Sequence, residues 1–536
     1  MSSTLPYFNI NKELSINNGG QNHLLIEGDN EHVLKAMQYT HKNSIDFIYI
    51  DPPYNTDADV PYRDGWERTD WINFIKIRIQ LAHTLLKESG AISVSIDDHS
   101  GMQPYLEIIL NEVFGNVNRM PKQIWQGKSL GKDPKKIHIV EQHEYILSYA
   151  KSINHFNSSD LMRKTTDKDF PKVDEATGNR YRIVDLRKAG ADSLRTDSPS
   201  MYYSVIDPDG NEHFPIRADG KEGRWHWGKS HMQEEVVSGD NLLWTKTKTG
   251  GWKLNYKRWA DPEKVAGHRT TITYPDTEEC GRRCKPVGPS GEGAKRLDAL
   301  IGSTEDGAKL FPFPKPISLM KYIIDWGTNG NPNAVVMDFF VGSGSAADAL
   351  IDMNAEDGGN RQGIFVTNNE EEEGLIFDNA TYPRVKAALT GDWANGKGTP
   401  REASLTVLNT NTFEINSDSD HSIMEAMSDK FVALAALKEG AYDVEEHTGY
   451  FVCRGVVGGL NKTVLVWADI YDDFGLEDAL DSVQPDVAYL ACESLSIFGN
   501  LLSRFSTDFK TMPVDFARTV INSDRLIDTV INKSVN

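Results

Sequence analysis

Two short segments carry residue types that can do chemistry together. Asp51-Pro52-Pro53-Tyr54 follows the apolar run Ile45–Ile50. Two consecutive prolines end helix and ladder alike, so the segment forms a rigid corner. It presents a carboxylate, a proline carbonyl with no N–H at its own residue, and an aromatic face. An exocyclic amine on a flat ring has two N–H bonds, and two acceptors can take both. The nitrogen lone pair, otherwise delocalised into the ring, is then directed at an electrophile while Tyr54 stacks on the ring. The second segment is Asp338-Phe339-Phe340-Val341-Gly342-Ser343-Gly344, also after an apolar run. Its glycines let backbone approach a ligand closely, and the helix that follows offers free N–H groups. Glu370, after the next strand, is placed to bind ribose hydroxyls by analogy with dinucleotide folds. A lone Gly-x-Gly or a lone Asp-Pro-Pro-Tyr also occurs as a plain turn. The pair, each closing a buried strand, is far more specific.

The surrounding pattern supplies elements to hold them. Leu24–Glu27, Ile45–Ile50, Ala91–Ile96, Glu144–Tyr149, Ala334–Phe340 and Gly363–Thr367 read as strands. Several lack polar alternation, as strands buried on both faces of a parallel sheet do. Helical spacing lies between them, near Glu31–Met37 (with Asp29 and Asn30 as caps), Trp71–Lys87 (stopped by Gly90), Tyr105–Val113, Ile317–Trp326 and Ala346–Met353. Alternating strands and helices predict an α/β fold: a Rossmann-like, mixed, mostly parallel sheet. From 155 to 300 the segments become short, polar and Gly/Pro-punctuated, which predicts an inserted β-containing module. The predicted parts are 1–154 (catalytic half of the core), 155–300 (insert), 301–395 (cofactor half) and 396–536 (a small acidic α/β appendage).

Composition bounds the reading. At roughly 150 residues per domain, 536 residues hold three to four domains' worth of core. No apolar run approaches the roughly 20 residues of a membrane span, so no membrane association is expected. The start of the chain lacks the features of a signal peptide. Four Cys make no disulfide framework, which points to a reducing, cytoplasmic location. The net charge of −21 argues at first against nucleic acid. Its distribution reverses that: residues 121–300 carry +5 and six of the 11 Trp, whereas 401–536 carry −12. Basic and aromatic residues interleaved suit a surface that contacts phosphates and bases.

With these residues in view, the chain resembles amino-group DNA methyltransferases of the permuted order, the beta class, in which the catalytic motif precedes the cofactor motif. Within that group it looks most like the modification subunits of type III restriction-modification systems. The supporting stretches, in order, are Glu27–Asn30, Asp51–Thr56, Val94–Asp98, His143–Ile146, Phe313–Pro316, Phe340–Gly344 and Glu356–Arg361. The resemblance covers roughly 24–390 and continues more weakly through Val487–Val520. It implies a class I methyltransferase fold, S-adenosylmethionine as cofactor, double-stranded DNA as substrate, a helicase-nuclease restriction subunit as partner, and a homodimer. Asp51 and the Pro52 carbonyl would accept from the target amine, Pro53 would complete the loop, and Tyr54 would stack. Asp29, Asn30, Lys315, Pro316, Asp338, Phe340, Gly342, Ser343, Gly344 and Glu370 would hold the cofactor, Lys315 and Pro316 closing its methionine side. Val341 and Ser345-Ala346 stand where the family usually has Ala and Thr-Thr, a change of volume that bears on affinity.

The implied reaction is direct methyl transfer to the N6 amine of a flipped adenine, with no Cys nucleophile. A cytosine-N4 amine fits the same acceptors. Ser at the first motif position is more usual for that base, so Asp51 favours adenine. A different role, as the DNA-recognition subunit of a partner nuclease-helicase, is compatible with either. The insert is then the target-recognition region, with Arg182, Arg187, Lys188, Arg195, Arg217, Lys257, Arg258 and Arg269 as candidate DNA contacts. The acidic appendage is expected to contact protein rather than DNA. Gly223–Ser230 fits a phosphate-loop expression, but no apolar strand precedes it and two Trp crowd it. Cys280, Cys284 and His268 lack zinc-site spacing, so no metal is expected. Glu371–Glu373 read as a solvated helix start.

Overall fold

The computed structural model describes residues 3–56, 65–97, 101–127, 142–157, 161–162, 170–175, 177–190, 192–239, 241–247, 250–260, 265–266, 271–273, 287–303, 311–370, 374–415, 424, 427–468, 474–492 and 494–511. The chain divides into two compact units. One comprises 1–160, 268–276 and 285–536, the other 161–267 and 277–284.

The larger unit is built on a ten-stranded sheet. Its strands are β1 (Ser3–Ile16), β2 (Gln21–Glu27), β3 (Ile45–Ile50), β4 (Leu86–Ile96), β5 (Gln123–Gln126), β6 (Glu144–Ala150), β7 (Thr271–Thr273), β8 (Val335–Asp338), β9 (Gln362–Thr367) and β10 (Ala403–Ile415). Their order is β1-β10-β2-β9-β8-β3-β4-β6-β5-β7. The central run β10 to β4 is wholly parallel; β1 runs antiparallel to β10, β6 runs antiparallel to both β4 and β5, and β7 pairs with β5 in parallel. The central strands are nearly continuous apolar runs because helices cover both faces. These are α1 (Asn30–Thr40), α2 (Arg68–Leu85), α3 (Gln103–Phe114), α4 (Ser290–Ile301), α5 (Ile317–Gly327), α6 (Ser345–Asp357) and α7 (Tyr382–Thr390). One core layer holds Val33, Met37, Trp71, Ile75, Ile79 and Leu106; the other holds Leu319, Ile323, Ala346, Leu350 and Val385.

Several boundaries differ from expectation. Gly90 does not stop α2, which ends at Leu85; it lies inside β4, where a Cβ would meet the Ile45 and Asp46 carbonyls at 3.0 Å. Residues 287–300 belong to the larger unit rather than to the insert. Leu297 and Ile301 of α4 pack with Phe311, Ile376 and Ala380. Thr271–Thr273 joins the large sheet beside β5. The region after 396 is no separate appendage. β10 lies between β1 and β2, paired to both over most of its length. A five-stranded sheet follows (Asp443–His447, Tyr450–Val457, Leu460–Trp467, Val487–Leu490, Asp508–Thr511) with helices Val432–Glu439 and Phe474–Val483. Phe431, Leu434, Val464, Val466 and Tyr489 share one core with Leu5, Phe8 and Met37. The sequence hid this because the contacts join residues some 400 positions apart.

The smaller unit has a four-stranded antiparallel sheet in the order Leu242–Lys246, Trp252–Trp259, Arg180–Asp185, Lys172–Val173, with the helix Lys229–Ser238. Leu186, Trp225, Met232 and Leu254 form its small core.

Candidate active site

Strands β3 and β8 are adjacent and parallel, so the loops leaving them open at the same edge of the sheet. From β3 the sheet continues to β4, and from β8 to β9 on the other side. That reversal is where open α/β sheets bind ligands. Asp51 leaves β3 and Asp338 ends β8. The corners 290 positions apart therefore line one cavity of about 830 Å³. Asp51, Pro52, Pro53, Tyr54, Asp29, Asn30, Lys315, Asp338, Phe340, Gly342, Ser343 and Glu370 all line it. Gly344 and Pro316 are not in its wall. Gly344 caps α6 with φ of +79°, and Pro316 caps α5.

The proline corner is pinned from outside. Trp71 Nε1 donates to the Pro53 carbonyl at 2.8 Å. Asn55, at φ +61°, donates from Nδ2 to the Trp66 carbonyl at 3.0 Å and accepts the Trp66 N–H. Trp66 stacks on Phe74, over which the Arg78 guanidinium lies at 3.7 Å; Phe74 in turn meets Phe340.

Asp51 sits in a charged cluster. The Tyr54 hydroxyl donates to Asp51 Oδ1 at 2.6 Å. Lys315 Nζ lies 3.1 Å from Asp51 Oδ2, 2.8 Å from Glu144 Oε2 and 2.9 Å from the Tyr54 oxygen. Burial pushes the Asp51 carboxyl above its ordinary range; Lys315 opposes this and Glu144 adds to it. Burial pulls the Lys315 amine down, but Asp51 and Glu144 outweigh it and hold the amine well above its usual range. Glu144 was missed as a site residue. β6 runs antiparallel to β4, with Tyr145 opposite Ile96, so its first residue lies where the parallel strands end.

The glycine corner rests on a buried ion pair. Asp338 Oδ1 accepts the Phe340 N–H at 2.9 Å, and burial raises its carboxyl well above the usual range. Behind the loop, Arg384 donates to Ser345 Oγ at 2.8 Å and to the Ser343 carbonyl at 3.3 Å. Asp348 receives Arg384 at 3.0 Å and Arg296 at 2.8 Å. Burial pushes Asp348 up, but the two guanidinium groups prevail and hold it below the carboxylate range. The Gly342 φ is +48°, and a Cβ there would approach Phe311 to 3.3 Å. Asp29 N-caps α1, accepting the Glu31 N–H at 2.7 Å, and Asn30 Nδ2 donates to the Phe339 carbonyl at 2.7 Å. A carboxylate-rich, partly aromatic cleft of this kind suits a ligand that carries positive charge beside a flat heterocycle and hydroxyls.

In the smaller unit, the candidate DNA contacts sort into two groups. Acidic neighbours hold Arg187 (Asp185, 3.4 Å), Arg195 (Glu222, 2.9 Å), Arg217 (Asp219, 3.3 Å) and Lys257 (Asp174, 2.9 Å). Arg182 lies over Phe170 and directly opposite Arg258 in the sheet. Arg224, which sequence reasoning missed, lies opposite Lys188, joined by a backbone hydrogen bond of 2.9 Å. Burial depresses the nearby His226 imidazole, and Lys188, Arg224 and Arg258 add to it against Asp185. Arg269, His268, Cys280, Cys284 and Glu371–Glu373 lie outside the described residues. Trp225 of the phosphate-loop look-alike is a core residue, donating to the Tyr203 carbonyl at 2.9 Å. Among the described residues, no group of three His, Cys, Asp or Glu is placed to hold a metal, and no helix is long and apolar enough to cross a membrane.

A family model described as DNA methylase matches residues 45–373, a span that includes both corners. The chain is 30% identical over 365 residues to the type II methyltransferase M.KpnI of Klebsiella pneumoniae, covering 64% of this chain and 79% of that enzyme. It is 29% identical over 404 residues to the Mod subunit of the type III restriction-modification enzyme EcoPI of Escherichia phage P1, covering 66% of this chain and 58% of that subunit. The solved PvuII DNA methyltransferase, titled cytosine-N4-specific, aligns over 71% of this chain and 95% of its own at 12% identity, with a TM-score of 0.33. The chain belongs to the DNA methylase family that transfers methyl groups to amino nitrogens, with the order of motifs its sequence displays.

Proposed function

We propose that this chain is an S-adenosylmethionine-dependent methyltransferase acting on the N6 amine of adenine in double-stranded DNA. The observation that carries the reading is the shared cavity between Asp51-Pro-Pro-Tyr54 and the glycine corner. The cofactor, when bound, supplies an electrophilic methyl on a sulfonium. The glycine end fits its charge and hydroxyls: the carboxylates of Glu370 and Asp29, with Asp338, Phe340 and the open backbone of Gly342 and Ser343 beside them. At the other end, Asp51 and the Pro52 carbonyl accept the two N–H bonds of the amine, and Tyr54 stacks on the base. Held by these acceptors, the amine would take up the methyl group and release one proton to solvent. The target leaves the duplex to reach this cleft.

Adenine is favoured over cytosine by the carboxylate at position 51, where cytosine-N4 relatives more often carry Ser. Incubating the protein with duplex DNA and labelled cofactor, then resolving the nucleosides by mass spectrometry, tests both points. N6-methyladenine is expected, and N4-methylcytosine would transfer the reading to the other base. Asp51→Ala lowers methyl transfer by at least about 100-fold; undiminished activity refutes the assigned chemistry.

Lys188, Arg224 and Arg258 are the proposed phosphate contacts of the inserted unit. Lys188 and Arg224 stand opposite one another beside an isolated bridge, and Arg258 stands opposite Arg182 in the sheet; like charges so placed repel, and a phosphodiester between them relieves the repulsion. Likeness to the EcoPI Mod subunit supports a role within a type III restriction-modification enzyme, and the homodimer and helicase-nuclease partner are what the sequence resemblance implies. Co-purification with the product of any neighbouring helicase-nuclease gene tests that partner.

A further inference from the structure

The corner at Asp51 contains a component that the amine-acceptor chemistry does not itself require. Two carboxylates, Asp51 on the β3 loop and Glu144 at the start of β6, converge on a single ammonium from the loop before α5. A buried ammonium has three N–H bonds. Here three acceptors stand within 3.1 Å: Asp51 Oδ2, Glu144 Oε2 and the Tyr54 oxygen. Lys315 is 10% exposed and Glu144 14%, and the Lys315 amine also stands over the Tyr54 and Trp125 rings at 5.1 and 5.9 Å. The family resemblance implies that Lys315 closes the methionine side of the cofactor. Its charged end instead lies at the amine-binding end.

The chemistry of Asp51 gives this arrangement a consequence. Only its ionised form accepts an N–H at both oxygens; a protonated carboxyl offers a donor where the amine needs an acceptor. Two carboxylates close together in an aromatic-walled cleft tend to share one proton. The groups facing Asp51 are Tyr49 from β3, Tyr54 from its own loop, Glu144 from β6, Asp338 from β8 and Lys315. Of these five, Lys315 alone carries positive charge.

We propose that Lys315 is a positioning residue for methyl transfer: lying between Asp51 and Glu144, it keeps Asp51 aimed and ionised as the acceptor of the target amine against the opposing negative charge of Glu144. The inference rests on the methyltransferase reading and concerns one end of the same cleft. A lysine that merely pinned two loops would produce a loss independent of pH.

The test is the pH profile of kcat/KM for labelled-methyl transfer to duplex DNA, with cofactor affinity measured separately by calorimetry. In K315M the acid limb moves up by at least one pH unit. Activity at pH 7 falls by about tenfold or more and recovers towards the wild-type value by pH 9. K315R keeps the limb near its original position. E144Q, which removes one of the two negative charges, moves the limb to lower pH. The double variant K315M/E144Q regains part of the activity that K315M loses at pH 7. Cofactor affinity stays within about threefold in K315M, whereas a lysine closing the methionine side would weaken it far more. A K315M loss that is equal at all pH values, or a double variant no better than K315M, overturns the proposal. Should K315M fail to fold, as judged by circular dichroism, E144Q decides: an acid limb that stays put or rises refutes the arrangement. If the wild-type chain transfers no methyl to any DNA, the fault lies with the methyltransferase reading and not with the role of Lys315.

Discussion

Asp348 and Arg384 show how a single buried pair shapes a ligand loop. Both side chains are fully buried, and Arg384 passes the constraint on to Ser343 and Ser345 by hydrogen bonds. The glycine corner thus takes its form from a charge pair behind it as well as from the glycines. Asp348→Asn leaves two guanidinium groups facing a neutral amide. Breaking a buried pair from one side costs about 3–5 kcal/mol. Thermal unfolding of the variant is expected well below the wild type, with cofactor affinity reduced in step. Equal cofactor affinity in a folded variant would show that the loop keeps its shape without the pair.

At the level of elements, β2 illustrates why a parallel strand tolerates a polar residue only under conditions. His23 is buried, and its Nδ1 accepts the Gly363 N–H at 3.0 Å from neighbouring β9, which requires the neutral ring. Burial pushes its imidazole down to about 4. His41, just after α1, is likewise pushed to about 4 by burial, with Lys438 adding to it. A histidine lowered by folding contributes its full stability above its unfolded value near 6.5, and that stability is lost as the pH falls towards 4. The shift corresponds to about 3 kcal/mol for each group. Urea unfolding is therefore expected to weaken steeply between pH 6.5 and 4, and His23→Gln to flatten that decline. The inserted sheet makes a second prediction at this scale. Replacing Lys188, Arg224 or Arg258 by Ala should each reduce the dependence of log Kd on log salt by about 1. Arg195→Ala, already paired to Glu222, should leave the slope nearly unchanged.

At the scale of the whole molecule, the acidic carboxyl-terminal region is part of the methyltransferase core. Phe431 is fully buried, touching Tyr39 in the last turn of α1 and Tyr489 of the second sheet at ring distances of 5.6 and 5.3 Å. Phe431→Ala should cost about 3–5 kcal/mol and lower a single cooperative transition of the larger unit. A separate, early transition with the cofactor site intact would show instead that the region folds independently. Deleting the region would also strip Val464, Val466 and Tyr489 from the core shared with Leu5 and Phe8.

The residues themselves determined the strand-corner-helix units, since an apolar run, a proline or glycine break and a helical period are all local signals. They therefore marked Asp51-Pro-Pro-Tyr54, Phe340–Gly344 and Glu370 together with the parallel character of the sheet. Which corners meet was decided only in three dimensions, by the pairing of β3 with β8 across 290 positions. The same holds for Glu144, which looks like the ordinary start of a strand until the antiparallel register of β6 brings it to the ligand edge. It holds too for Lys315, whose charge could have served either end of the cleft, and for β10, whose apolar alternation names no partner. Sequence period fixes how a segment buries its own face, whereas contacts between distant segments depend on the order of strands, which loop closure and packing settle for the chain as a whole.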